Sequence, residues 1–132
     1  MKRILLLLLL AIAAFGCKKE NKLADTDTIN GTWELRGWSG TIAGVIKTYP
    51  PGNGSLIQFN GDSTYKFFAN FQQTKQGTYR TVKNGVAMGG QTYDAIYYDN
   101  SPSADFMQLS ADSLTIGNTY PDGVTSLYVR QK

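Results

Sequence analysis

Histidine is absent from the 132 residues and cysteine occurs once, at Cys17. Serine–histidine and cysteine–histidine nucleophiles and histidine-ligated metal centres are therefore excluded by residue type alone. Carboxylates remain as acid–base candidates. Asp62, Asp112 and Asp122 all stand among turn-forming residues, where an aspartate ordinarily caps the turn with its own oxygen. Over residues 99–105 (DNSPSAD) oxygen-bearing side chains recur at every second position, as they do in a calcium loop. Ala104 stands where an EF-hand needs glycine and Ser110 where it needs a bidentate glutamate, so the likeness is weak. The glycine-rich residues 85–90 (GVAMGG) lack the Lys-Ser/Thr tail of a phosphate loop and read as an inter-strand loop. This inventory predicts a protein that is not an enzyme and uses no cofactor and no metal.

Cys17 itself has a different chemistry available. It follows Lys2, Arg3 and an unbroken apolar run over residues 4–15. Crossing a hydrocarbon core takes about 20 residues, so the run is too short for a membrane span and has the length of a signal-peptide core. With Ala13 just upstream, Ala14-Phe15-Gly16-Cys17 resembles the lipobox of bacterial lipoproteins. Ala14 and Phe15 depart from that family's usual leucine and small residue. The resemblance implies cleavage before Cys17 and acylation of its sulfur and new amino group by palmitate-type chains. The protein is then expected to be exported and anchored to a bacterial cell-envelope membrane, the outer membrane by preference. Two or more acyl chains, at ~0.8 kcal/mol per buried methylene, hold stably where a single chain does not.

The anchor divides the chain into a signal peptide (1–16), a lipidated cysteine with its tether (17–28) and a folded domain (29–132). The tether is polar apart from Leu23 and Ala24 and would let the domain ride about 15–20 Å from the bilayer. Of 13 basic groups against 10 acidic ones, Lys2 and Arg3 belong to the leader, so the remainder is close to neutral. A nucleic-acid partner would require a basic stripe that this remainder lacks. With no second cysteine there is no intramolecular disulfide, and the core alone must hold the fold.

From Ile29 onward, short β-type runs alternate with turn signals. Eight strands are expected, over residues 32–39, 55–60, 64–70, 77–82, 92–99, 105–110, 113–118 and 125–131. Asn60-Gly61-Asp62, Lys83-Asn84-Gly85, Ala111-Asp112 and Pro121-Asp122-Gly123 are among the turns between them. Such even spacing predicts an all-β, antiparallel, eight-stranded up-and-down barrel. Alternation puts Trp33 and Leu35 on one face and Glu34, Arg36 and Trp38 on the other, and it sets Leu127 and Val129 against Tyr128 and Arg130.

Gly31-Thr32-Trp33, Phe59-Asn60-Gly61-Asp62-Ser63-Thr64-Tyr65, Gly77-Thr78-Tyr79 and Leu114-Thr115-Ile116 together resemble the lipocalin (calycin) superfamily, in particular the small lipocalin-like domains of bacterial lipoproteins. The resemblance implies that Trp33 plugs the closed end of the barrel with Arg130 lying across its ring, Arg130 reaching in from the outer face. The folded part is short for a lipocalin, so a shallow cup is expected.

The aromatic side chains on strands have a plain role as core. Tyr65, Phe67, Tyr79 and Tyr97 would also line such a cup, offering apolar walls with a few hydroxyls to a small apolar or amphipathic ligand. Exposed Trp38, Phe68 and Tyr98 would instead form a protein-facing patch. Two functions follow from different classes: a membrane-anchored ligand-binding barrel, or a non-enzymatic envelope interaction module whose barrel is filled.

Overall fold

A computed structural model describes residues 28–40 and 44–132. Cys17, the expected leader and the expected tether up to residue 27 lie outside the described residues. The strands are β1 (Gly31–Gly40), β2 (Val45–Thr48), β3 (Leu56–Phe59), β4 (Thr64–Ala69), β5 (Gln72–Met88), β6 (Gln91–Tyr98), β7 (Asp105–Ser110), β8 (Ser113–Gly117) and β9 (Thr125–Arg130). Each pairs antiparallel with its neighbours, and β9 returns to β1 to close an eight-stranded barrel. The extra strand, β2, pairs with the far half of β1 while β3 pairs with its near half.

Turn chemistry sets this order. Asn70-Phe71 and Gly89-Gly90 both take positive φ, as the two-residue type I′ hairpins β4–β5 and β5–β6 require. Between β2 and β3 the chain makes an excursion through Pro50-Pro51-Gly52-Asn53-Gly54. The Asn53 side chain substitutes for the missing ladder there, its amide donating to the Leu35 carbonyl at 2.8 Å while its oxygen accepts from Ser55 N–H.

All eight expected strands form, and three departures have identifiable causes. A bulge between Leu35 and Gly37 shifts β1 by one residue, so Trp38 pairs with Ser126 and turns inward, away from the face of Glu34 and Arg36. Strand β5 runs far beyond the expected residues 77–82. Lys83-Asn84-Gly85, read as a turn, is a bulge within it, and most of GVAMGG is strand. In β9, Tyr128 pairs with Leu114 and Arg130 with Trp33, so the mixed face points in while Leu127, 42% exposed, points out.

The interior is filled by Trp33, Ile57, Phe59, Tyr65, Ile96, Met107, Leu114 and Ile116. A second apolar cluster lies on the outside of β5–β7, where Val86, Ala95 and Phe106 are buried beneath Met88, Tyr93, Tyr97 and Ala104. Gly117 admits the Phe106 ring, because a Cβ there would stand 2.5 Å from it. The eight-stranded wall thus has apolar packing on both sides along one flank.

Candidate functional site

One end of the barrel is sealed. Trp33 is fully buried, and its indole N–H donates to the Ile29 carbonyl at 2.8 Å. The Arg130 guanidinium lies 4.1 Å from the indole centroid and donates to the carbonyls of Asn30 (2.7 Å), Thr28 (2.8 Å) and Ala111 (3.2 Å). Pairing directly with Trp33, Arg130 shares its inner face rather than reaching in from outside. Gly31 is the residue this arrangement needs. Its φ of 131° suits glycine, and a Cβ would stand 3.0 Å from the guanidinium. Tyr79, expected in the cup, belongs to this sealed end: its single hydroxyl proton is shared between Asn30 Oδ1 at 3.1 Å and the Asn60 carbonyl at 3.0 Å, and its ring packs edge-on against Phe59.

Beside the sealed end lies an open trough of about 1110 Å³, bounded by Thr28–Asn30, by the β5–β6 hairpin and by β7 with the turn that follows it. Its walls are mostly polar, with Arg80, Lys83, Asn84 and Asp94 among them. Three of these are already engaged with one another, since Asp94 accepts from Asn84 N–H at 3.0 Å and lies 3.8 Å from the Lys83 ammonium.

At the opposite end the barrel is open and holds a hollow of about 280 Å³, lined by Phe67, Tyr98, Asp105, Ile116, Ser126 and Tyr128 with the rim residues Gly117, Asn118 and Val124. Of the four side chains expected in a cup, Phe67 lines this hollow and Tyr65 lies beneath it as core, packed edge-on against both Phe67 and Tyr98. Tyr97 does not face it. Pairing with Arg80, it lies on the outer face with that guanidinium 3.5 Å from its ring centroid. Adjacent residues of a strand point oppositely, so it is Tyr98 that faces inward.

Tyr98, Asp105 and Tyr128 are the site residues that the sequence reading missed. Asp105 is in phase with Met107 and Leu109, and a carboxylate sharing a strand face with such residues is the signal that could have found it.

Two aspartates near the mouth have opposite electrostatics. Asp99 accepts from the Tyr65 hydroxyl at 2.7 Å and from Thr78 N–H, and it pairs with Lys75 at 3.0 Å. Those hydrogen bonds, with the lysine, hold its carboxyl below the usual carboxylate range. Glycine at position 77 clears its path, since a Cβ there would collide with the carboxylate. Asp105 is pushed upward by burial, and burial likewise raises the Tyr98 and Tyr128 phenols. Among the described residues, no hydrogen bond or ion pair reaches the Asp105 carboxylate.

For an acid whose folded-state pKa is raised, ionisation opposes folding at every pH above that value, and the penalty vanishes below the unfolded pKa of about 3.9. Asp105→Asn should therefore stabilise the protein at pH 7, and the gain should shrink to nothing as the pH falls below about 3.9. Asp99→Asn should do the reverse, losing stability at pH 7 and converging on wild type in acid. Urea melts across a pH series check both signs.

Two further carboxylates serve structure. Asp62 accepts from Thr64 N–H and Thr64 Oγ1, which lowers its pKa. Glu34, only 1% exposed, lies 3.1 Å from Arg36 Nε and accepts from Gln131. Compared with known proteins, the chain matches no family model, no curated protein and no solved structure.

Proposed function

We propose that this protein is a lipid-anchored, lipocalin-like barrel of the bacterial cell envelope that binds a small amphipathic molecule at its open end. The observation that carries the reading is the hollow of about 280 Å³ among Phe67, Tyr98 and Tyr128, in a barrel otherwise packed with side chains. An eight-stranded barrel is just wide enough to be filled or to keep one small ligand, and here the filling stops short of the mouth. Aromatic and aliphatic walls with a few polar groups, Asp105, Asn118 and Ser126 among them, match the general makeup of small-molecule sites, and the hollow lies just below their usual ~300–1,000 Å³. Its size favours a compact ring or short chain over a long acyl tail.

Binding is tested with 2-naphthol, a compact fluorescent amphiphile. The wild-type protein should bind it, and Phe67→Ala should weaken binding about tenfold, equivalent to ~1.4 kcal/mol and within reach of one lost aromatic contact. Absence of binding at millimolar probe would remove the reading. Anchoring is a separate matter and rests on Ala14-Phe15-Gly16-Cys17. Cys17→Ser should abolish fatty-acid labelling and release the protein from the membrane fraction, and a serine variant that still takes up label would refute it.

The second reading, an interaction module, draws on the packed interior and on β2, whose four residues are all exposed, Ile46 to 76%. A strand with a free edge and apolar side chains is a surface on which another chain can pair. Failure of every small probe would leave this reading in place.

A further inference from the structure

The mouth contains a carboxylate, and its setting restricts the chemistry of what can enter. Asp105 opens β7, pairs with Ile96 and faces the interior beside Tyr98, Tyr128 and Phe67. Among the described residues it is the only charged side chain lining the hollow. The nearby lysine, Lys75, is committed to Asp99 and the Tyr65 ring. A half-buried carboxylate without a partner loses hydration and gains nothing in return, so within the protein alone it opposes folding. The surrounding rings contribute in the same electrostatic sense, because an aromatic face carries negative charge density and attracts cations.

Resting on the ligand-binding reading above, we infer that the mouth takes a small organic cation, its ammonium group against the Asp105 carboxylate and its apolar part against Phe67, Tyr98 and Tyr128. A metal ion is poorly served, since among the described residues no cluster of three potential metal-ligating side chains exists. A neutral alcohol could donate one hydrogen bond to the Asp105 carboxylate but would leave its charge uncompensated. An anion would meet a carboxylate, and among the described residues no basic side chain lines the same hollow. The hollow has the volume of about nine waters at ~30 Å³ each, which suits a compact amine and not a long lipid. Raised by burial, the Asp105 carboxyl should also make binding fall as the solution is acidified. The other ionisable groups facing the hollow are the phenols of Tyr98 and Tyr128, which titrate far above neutrality and stay uncharged throughout.

The test is calorimetric titration of the full-length protein in non-ionic detergent with choline, with butylamine, and with 3,3-dimethylbutan-1-ol, the uncharged isostere of choline. At least one of the two cations should bind ten-fold or more tightly than the isostere. Asp105→Asn should erase that preference while leaving near-ultraviolet circular dichroism unchanged, and Tyr128→Leu should weaken cation binding with the carboxylate still present. Titration at falling pH should weaken the cation and leave the isostere unaffected. If the isostere binds as well as the cations and Asp105→Asn changes neither, the cation inference is overturned and the amphiphile-binding reading stands. If 2-naphthol and all three small ligands fail to bind, both are overturned.

Discussion

Replacing Trp33 by alanine is expected to cost ~3–5 kcal/mol, a large share of the ~5–15 kcal/mol that holds a domain of this size together. The ring is fully buried among interior side chains, its N–H closes onto Ile29, and Arg130 lies across it. Removing it creates a cavity, strands the Ile29 carbonyl and leaves a guanidinium without its aromatic face. Arg130→Ala should cost less, ~0.5–2 kcal/mol from the cation–π contact, together with weaker docking of Thr28 and Asn30 against the barrel. Chemical denaturation of both variants checks the order. A Trp33→Ala midpoint within error of wild type would show that the tryptophan does not seal this end.

Phe106→Ala is expected to be nearly as damaging, ~3–5 kcal/mol, although its ring is on the outside of the barrel. The side chain is only 7% exposed, contacts Tyr93 at 5.5 Å between ring centroids, and lies over the bare backbone of Gly117. Truncation would uncover Gly117 and Ala95 together. Leu127→Ala, also on the outer face but 42% exposed, should fall within about 0.5 kcal/mol of wild type. Equal, small effects for the two would mean that the outer cluster is not a second core.

These two sites differ in how far the sequence foretold them. The Gly31-x-Trp33 pair with a late arginine was expected from its resemblance to the lipocalin signature, while alternation set Arg130 on the outer face and not on the face of Trp33. The outer cluster was not legible, because Phe106-Met107 places two large apolar residues in succession and alternation alone cannot say which faces in. Tyr97-Tyr98 failed for the same reason, and Tyr97 proved to be the outward one. Trp38 was lost to a bulge that inserts one residue and inverts the faces beyond it, and the extent of β5 to one that inserts two residues, whose Lys83-Asn84-Gly85 carries the composition of a turn. Strand β2 escaped notice because four exposed residues, Val45–Thr48, carry no alternation of burial. The open end was the least legible part: its six principal side chains come from β4, β6, β7, β8 and β9, and only closure brings them together.

That closure also sets when the molecule can fold. The Arg130 side chain bonds to Asn30 across 100 positions of sequence, and the edge of β1 opposite β2 and β3 finds its partner only in β9. Contacts of such separation require most of the loop entropy to be lost before they form, so barrels of this kind fold slowly, in milliseconds to seconds. On the ribosome, at ~5–20 residues per second, β1 would wait several seconds for Thr125–Arg130 to be made. For all that time the nascent polypeptide lacks the strand that seals it, and a chain that cannot close early remains threadable, as passage through a secretion channel would demand of the exported protein proposed here.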